Sequence, residues 1–357
     1  MHRVSSYRSY RRCGLSCLVL ALLVFAGPVW AGDGGVSAEA MVAASAELKF
    51  DNPSFSPDGK WILMADRKQD GLYLYNPADK STIQIASSPS GGYAYNWSPD
   101  GGMIGFKMLT PISGSDFPLQ TPVVYDLSTK ALIPLCVAAE RAGVPSFSAN
   151  GLIAYTLGEE LRIADAAGNV ISTFMLDHYA NLAPISPDGT MVAYCNSEEQ
   201  PCIVDLVTGE ILPLTSDENG YFNPVWSPDS ARLVVSTTAG QLKTIDVSTG
   251  DVYDLGEGRT PSWDADGKTV YFTKVDRLDG VRVNRADICA VQFDGTGKTV
   301  LTANKKAQAI AARVSRNGER MAFISPEGDL YDAPVVKGNG KGKGQGLKKA
   351  TALGAAR

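Results

Sequence analysis

The chain has 357 residues, with 33 Lys or Arg against 38 Asp or Glu, and 44% hydrophobic residues, enough for a large core. The segments 1–31 and 337–357 hold ten of the basic residues and no acidic ones, so the remaining body has 23 basic against 38 acidic residues, a net charge of −15. Such an acidic body argues against nucleic acid and anionic membrane surfaces as partners.

Residues 1–31 have the features of a secretory signal peptide. Four Arg precede an apolar run from Leu15 to Ala26, and Val29-Trp30-Ala31 fits the small-x-small cleavage rule. The apolar run is short for a bilayer-spanning helix. We therefore predict a periplasmic or secreted protein that begins at Gly32 and has no membrane span once the signal is removed.

The segments that flank the body of the mature chain are predicted to lack a packed fold. Residues 32–45 are interpreted as an N-terminal linker. Residues 337–357 are rich in Gly and Lys without apolar periodicity, which indicates a disordered tail. The domain between them spans residues 46–336.

Seven Ser-Pro-Asp-Gly turns, or degenerate versions of them, divide this domain. They begin at Ser56, Ser98, Ser148, Ser186, Ser227, Asp264 and Ser315. The steps between them are 42, 50, 38, 41, 37 and 51 residues, filled by short β-branched and aromatic runs. A period near 40 residues predicts an all-β propeller with seven blades of four antiparallel strands. Six blades are the alternative, if the first and last turns belong to one shared blade.

The residues in and before each turn are interpreted as structural. Pro presets φ, the Asp carboxylate accepts backbone hydrogen bonds, and Gly tolerates positive φ. An aromatic or apolar residue precedes every turn: Phe55, Trp97, Phe147, Ile185, Trp226, Trp263 and Val314. We expect these side chains to pack between adjacent blades. The last repeat has three strands, so either Ala46–Phe50 or Leu347–Leu353 must supply its fourth.

The pattern P-x-[FW]-S-P-D-G-K, followed by a β-run and a Thr-Gly turn, resembles the PD40 or WD40-like repeat of TolB-type propellers. The resemblance covers roughly residues 50–336 and implies the fold, while the repeat serves many functions. TolB-type proteins carry an α/β domain ahead of a six-bladed propeller, whereas only Gly32–Phe50 precede the first blade here. With the signal peptide, the resemblance implies a protein- or peptide-binding module of the cell envelope.

The mature chain has few residues that point to catalysis. His178 is its single histidine, which is too few for a multi-histidine metal site, and no G-x-S-x-G or C-x-x-C-H motif is present. We therefore predict no catalytic residue, metal or cofactor, and a monomer that binds an envelope protein or peptide. The alternative is a hydrolase or lyase acting on a saccharide or peptide in the channel. Acids clustered with His178 would favour the enzyme, and an acid-free mouth with aromatic and Arg residues would favour the binding module.

Candidate binding residues fall in or beside the segments that join consecutive blades. They are Tyr93, Tyr95, Arg141, His178, Tyr179, Tyr221, Phe222 and Arg259. These segments share one end of a propeller with the loops between second and third strands, so we predict a partner-binding rim. Ordinary core packing of these rings is the alternative. The charged loop Val275–Asp287 is expected on the same rim, as a recognition arm or a solvated insertion.

Four cysteines remain after signal cleavage. Cys195 and Cys202 flank a six-residue turn segment, and a hairpin would bring them near disulfide reach in an oxidising compartment. We therefore predict a disulfide between Cys195 and Cys202. Cys136 and Cys289 lie in different repeats and are expected to be buried free thiols.

Overall fold

The structure, a computed structural model, describes residues 49–335 except 89–91, 93, 218, 279–281 and 303–308, together with Thr351–Leu353. The predicted signal peptide, the linker and most of the segment 337–357 lie outside this part of the chain. All regular secondary structure in the described part is β-strand, and it contains no helix able to span a bilayer.

In the described part of the chain, twenty-seven strands follow one another in the order of the repeats. Blade 1 contains β1 (Phe50–Phe55), β2 (Ile62–Asp66), β3 (Gly71–Asn76) and β4 (Ser81–Ser87). Blade 2 contains β5 (Tyr95–Trp97), β6 (Met103–Thr110), β7 (Leu119–Asp126) and β8 (Leu132–Pro134). Blade 3 contains β9 (Ser146–Phe147), β10 (Ile153–Leu157), β11 (Glu160–Ala164) and β12 (Val170–Met175). Blade 4 contains β13 (Met191–Cys195), β14 (Pro201–Asp205) and β15 (Ile211–Pro213).

The last three blades continue the same order. Blade 5 contains β16 (Tyr221–Trp226), β17 (Arg232–Thr237), β18 (Gln241–Asp246) and β19 (Val252–Glu257). Blade 6 contains β20 (Arg259–Trp263), β21 (Thr269–Leu278), β22 (Arg282–Gln292) and β23 (Thr299–Val300). Blade 7 contains β24 (Ala311–Val314), β25 (Arg320–Ile324), β26 (Leu330–Pro334) and β27 (Thr351–Leu353).

Each blade is an antiparallel sheet whose strands pair in sequence order. In blade 4 the innermost strand is reduced to a bridge between Ile185 and Val192, and β13–β15 complete the sheet. The prediction of an all-β propeller with seven blades is therefore confirmed, and the six-bladed alternative is wrong.

Among the described residues, the core consists of seven clusters of buried side chains, one at each junction between neighbouring blades. The residue before each turn enters a different cluster: Phe55, Trp97, Phe147, Ile185, Trp226, Trp263 and Val314. Two of the Trp side chains also donate Nε1–H across the junction, from Trp226 to the carbonyl of Pro184 at 2.8 Å and from Trp263 to that of Val225 at 3.0 Å. The predicted packing between adjacent blades is confirmed.

The ring closes between blade 7 and blade 1. Phe50, at the start of β1, donates its backbone N–H to the carbonyl of Gly328 at 2.8 Å, and Lys49 forms an ion pair with Asp329 at 2.7 Å. The fourth strand of blade 7 is β27, so the C-terminal candidate completes this blade and β1 is the innermost strand of blade 1. Three residues of the segment 337–357, predicted to be a disordered tail, thus form a strand.

In six of the seven repeats the turn is stabilised by a buried Ser at its first position, which is Asp264 in the sixth repeat. In the fifth repeat, Ser227 Oγ donates to Asp229 at 2.5 Å and accepts the backbone N–H of Arg232 at 2.9 Å. Asp229 also accepts the backbone N–H of Ala231 at 3.1 Å. The Asp of the turn is therefore a structural cap, as predicted, because its carboxylate satisfies backbone donors within its own turn.

Candidate functional site

The first strands of the blades surround a central channel with two distinct ends. We call the end with the Ser-Pro-Asp-Gly turns the turn face, and the opposite end, with the segments that join the blades, the rim face. A cavity of about 650 Å³ extends from the turn face, and one of about 320 Å³ lies toward the rim face. Both cavities are lined in part by Asn52, Tyr95 and Arg313, so these residues lie where the two meet.

One position of each repeat faces this channel, two residues before the turn begins. These seven equivalent residues, which we call the channel ring, are Ser54, Asn96, Ser146, Pro184, Val225, Ser262 and Arg313. Six of them are uncharged, and the guanidinium of Arg313 is the single charge of the ring. No motif in the sequence marks Arg313, although alignment of the seven turns places it at a position where no other repeat has a charge.

The guanidinium of Arg313 is held by backbone carbonyls of its own blade and of blade 6. Its Nη1 donates to the carbonyl oxygen of Thr260 at 2.7 Å and, more weakly, to that of Ala312 at 3.3 Å. Burial lowers the pKa of Arg313 and raises that of the neighbouring Tyr95. The Tyr95 hydroxyl donates to the carbonyl of Asn52 across the junction of blades 1 and 2.

Three first strands contain bulges, and two of these bulges set the direction of the carbonyl groups of Asn52 and Thr260. The pairing register of β1, β16 and β20 shifts, and Asn52, Asn223 and Thr260 have positive φ angles of 50°, 53° and 51°. A left-handed conformation is tolerated by Asn and is unfavourable for β-branched Thr. The carbonyl of Asn52 orients Tyr95, and that of Thr260 orients Arg313. The left-handed backbone therefore lies next to the polar side chains of the channel.

A second polar cluster lies on the rim face between blades 2, 3 and 4. The ammonium of Lys107 donates to Asn181 Oδ1 at 2.5 Å, Gln120 Oε1 at 2.8 Å and the carbonyl of Ala142 at 2.8 Å. The hydroxyl of Tyr179 donates to the same carbonyl at 2.8 Å. Burial lowers the pKa of Lys107 to about 8 and raises that of Tyr179 to about 12. Sequence reasoning identified Tyr179 but missed Lys107, since no repeat pattern marks it.

The predicted rim residues fall into different environments. Tyr179 lies near Arg141, whose positive charge partly offsets the effect of burial on the pKa of the tyrosine. Phe222 and Arg259 are exposed at equivalent positions of β16 and β20. Tyr221, in contrast, is 1% exposed and donates its hydroxyl to Asp217 at 2.6 Å, so it belongs to the core.

Three further predicted positions are separate from this exposed group. Tyr95 lies inside the channel, as described above, and Tyr93 lies outside the described residues. His178 is bonded to Asp177 at 3.3 Å and lines neither cavity. Although partial burial acts in the opposite direction, hydrogen bonds from Ser197 and His178 lower the pKa of Asp177 to about 2. His178 and Asp177 therefore form a surface pair away from the channel.

Two protrusions extend the rim face. The loop 111–118 between β6 and β7 exposes 79% of Phe117 and 40% of Ile112. The segment Val275–Asp287, predicted to be a loop, is largely the end of a long hairpin, because β21 and β22 remain paired out to Leu278 and Arg282. Neither Phe117 nor this hairpin follows from the repeat, since both arise from insertions between second and third strands.

The disulfide predicted between Cys195 and Cys202 is not formed, and both thiols are free. The register explains this result, because Cys195 pairs with Pro201 and Cys202 pairs with Tyr194. Since neighbouring residues of a strand point to opposite faces, the two sulfur atoms enter different blade junctions. Burial raises the pKa of Cys195 to about 12 and that of Cys202 to about 11.

The acidic residues along the channel are few and belong to the turn face. Asp188 and Asp229 line the larger cavity and cap their own turns. Among the described residues that line the rim-side cavity, Arg313 is the one charged residue. No group of three potential metal ligands occurs in the described part of the chain. The arrangement of the rim-side cavity is suited to binding an anion.

Comparison with known proteins gives the fold alone. No protein-family profile and no curated protein matches the sequence. Among solved structures, 1496 chains match, which reflects how widespread this architecture is. One is a chain of the structure titled "Crystal Structure of Mitotic Checkpoint Complex", with a TM-score of 0.61 and 15% identity, covering 91% of this chain and 100% of that one. At this identity the similarity establishes the class of protein, a seven-bladed β-propeller.

Proposed function

We propose that this chain is an exported, TolB-like propeller that binds a protein or peptide partner of the cell envelope through its rim face. The observation that supports the proposal most directly is the exposure of large side chains there, with Phe117 79% and Phe222 43% exposed. Arg141 and Arg259 are exposed on the same face. Aromatic and Arg side chains are enriched at the centres of protein interfaces, so the composition of this face fits a partner with apolar and acidic groups.

The channel favours the same proposal over an enzyme. An enzyme of the expected kind needs acids clustered with His178 in the channel, whereas His178 pairs with Asp177 at the surface. The rim-side cavity instead presents Arg313 and Tyr95 without a lining acid among the described residues. A rigid propeller that holds its loops in fixed positions reduces the ordering cost of binding.

Export and the envelope location rest on sequence alone. They are supported by the basic and apolar pattern of residues 1–31 and by the resemblance of the repeat to TolB-type propellers. A fusion of residues 1–31 to a reporter that is active only outside the cytoplasm tests export directly. Absence of reporter activity with the fusion, when an established signal gives activity, would exclude this part of the proposal.

The binding surface is tested by chemical crosslinking and capture from an envelope extract. We compare the wild type with Phe117→Ala, Phe222→Ala and Arg259→Ala, and with Val207→Ala as the matched control. Val207 is an 85% exposed apolar residue in a turn between third and fourth strands, on the turn face. Tyr221 is left unchanged because it is buried.

The proposal predicts one partner that is retained by the wild type and by Val207→Ala and lost from the rim variants. Loss of a hot-spot side chain at an interface weakens binding by about 2 kcal/mol or more, roughly 30-fold. Equal retention by all variants would refute the rim as the binding surface. Retention of no partner, with a correctly folded wild type, would refute the binding function.

A further inference from the structure

Arg313 is a charge in a place where the fold does not require one. The six equivalent residues of the channel ring are Ser, Asn, Pro or Val, and the blades that carry them pack in the same way. Arg313 forms no ion pair with any described residue. Arg313 is partly buried, and a charge withdrawn from water without an opposite charge beside it destabilises a fold. Burial lowers the pKa of Arg313 for the same reason.

The guanidinium is nevertheless fixed in one orientation. Nη1 is bonded to the carbonyls of Thr260 and Ala312, at 2.7 and 3.3 Å. Nε and Nη2 of Arg313 have no hydrogen-bond partner among the described residues. Neither atom is fully buried, so this edge of the guanidinium stays open to the channel. Thr260 has a left-handed φ of 51°, and this strained residue supplies the carbonyl at 2.7 Å.

The free edge and the cavity define the chemistry of a ligand. Two parallel N–H groups of a guanidinium match the two oxygen atoms of a carboxylate, and a single positive charge balances a single negative one. A phosphate dianion would keep an uncompensated charge in this cavity. The walls around Arg313 include Val144, Leu182 and Pro261, which suit a small apolar group. A volume of about 320 Å³ lies at the small end of the range of ligand pockets.

We propose that the rim side of the channel is a carboxylate-binding site in which Arg313 holds the carboxylate and the cavity walls hold a small apolar body. Two sources provide this chemistry, a small free carboxylic acid and the free C terminus of a peptide chain. The site lies within the channel and does not involve Phe117 or Phe222, so it does not depend on the proposed rim interface.

Isothermal titration calorimetry with defined probes tests the proposal. The probes are 3-methylbutanoate, its neutral amide, inorganic phosphate, and the peptide Gly-Gly-Val with a free or an amidated C terminus. We expect 3-methylbutanoate to bind the wild type at least about 10-fold more tightly than its amide, because charge-assisted hydrogen bonds are lost with the amide. Preference for the free-acid peptide over 3-methylbutanoate would assign the site to chain termini, and the reverse preference would assign it to small acids.

Four variants locate the site. Arg313→Gln should weaken binding of the acid by roughly 10- to 100-fold, and Arg313→Lys, which keeps the charge but loses the paired donors, by about 10-fold. Ser262→Ala is the matched control, since this ring residue has a buried hydroxyl without a hydrogen-bond partner. It should bind as the wild type does. Phe222→Ala, on the rim, should also leave carboxylate binding unchanged.

Several outcomes would overturn the proposal. They are no heat of binding with either acid probe, equal affinity for the acid and the amide, tighter binding of phosphate, and unchanged affinity in Arg313→Gln. The comparison of acid with amide uses the wild type alone, so it decides the matter even if Arg313→Gln were unstable. We expect that variant to be at least as thermally stable as the wild type, because it removes an unpaired charge.

Discussion

Replacement of Thr260 by Asn should stabilise the propeller. The same left-handed position occurs in three bulged first strands, and it is Asn52 in blade 1, Asn223 in blade 5 and Thr260 in blade 6. Asn adopts this conformation with little penalty, whereas a β-branched residue does so only when the surrounding structure imposes it. Two blades of the same chain therefore show which residue fits the backbone of the third.

The expected magnitude follows from two opposing terms. Relief of the left-handed strain is worth about 1–2 kcal/mol. Against it, Thr260 Oγ1 donates to Thr273 Oγ1 at 3.2 Å, and loss of such a neutral hydrogen bond costs about 0.5–1 kcal/mol. Thr260→Asn should therefore raise the free energy of unfolding by about 0.5–1 kcal/mol, and the melting temperature by about 1–3 °C for a domain of this size.

The assay is urea unfolding combined with calorimetry, on Thr260→Asn and on the reverse change Asn223→Thr. No hydrogen bond involves the side chain of Asn223 in the described part of the protein, so this variant isolates the conformational term. It should lower stability by about 1 kcal/mol or more with an unchanged m-value. If Thr260→Asn destabilised the protein while Asn223→Thr had no effect, the assignment of strain to this position would be wrong.

Three other predictions concern buried polar groups. The folded-state pKa of Lys107, about 8, lies below the ordinary value of 10.5, so the folded protein binds fewer protons between these values and stability rises with pH. Relative to Lys107→Met, the wild type should gain about 1 kcal/mol between pH 7 and 9 in urea unfolding. Ser227→Ala should cost about 1–2 kcal/mol because Ser227 Oγ is buried and doubly bonded, whereas Ser248→Ala, at an exposed turn, should cost less than about 0.5 kcal/mol. Iodoacetamide should label Cys195 and Cys202 without prior reduction once the protein is denatured, and label neither in the native state at pH 8, whereas a disulfide would require reduction first.

The repeated features of the fold could be predicted from sequence because each acts locally. Ser227 and Asp229 satisfy backbone groups within their own turn, so the motif contains both partners of each hydrogen bond. Trp226 and Trp263 are predicted to pack between blades because every repeat needs an apolar side chain at that point. Seven local signals of this kind are sufficient for the architecture.

Features that depend on register or on contacts between repeats could not be predicted. The spacing of Cys195 and Cys202 allows a hairpin, but a shift of one residue in the pairing decides whether the sulfur atoms share a face. Tyr221 and Phe222 are neighbours at the start of β16, and the alternation of side chains along the strand places Tyr221 in the core and Phe222 at the surface. The environment of Lys107 combines side chains and carbonyls from three blades, which no spacing rule in one repeat records.

Departures from the repeat are therefore more informative about function than the repeat itself. A residue type that recurs from blade to blade is explained by the fold, as the Asp or Asn of the turn is, and needs no ligand to account for it. Arg313 and Thr260 differ from their equivalents in ways that cost stability, through an unpaired charge and a strained backbone, and they contact each other at 2.7 Å. Folding alone does not explain two such penalties at one contact, since Ser occupies the position of Arg313 in three other repeats and Asn occupies that of Thr260 in blades 1 and 5. A bound carboxylate would pair with the guanidinium and so remove the penalty of the unpaired charge. The carbonyl of the strained Thr260 would hold the guanidinium in the orientation that binding requires.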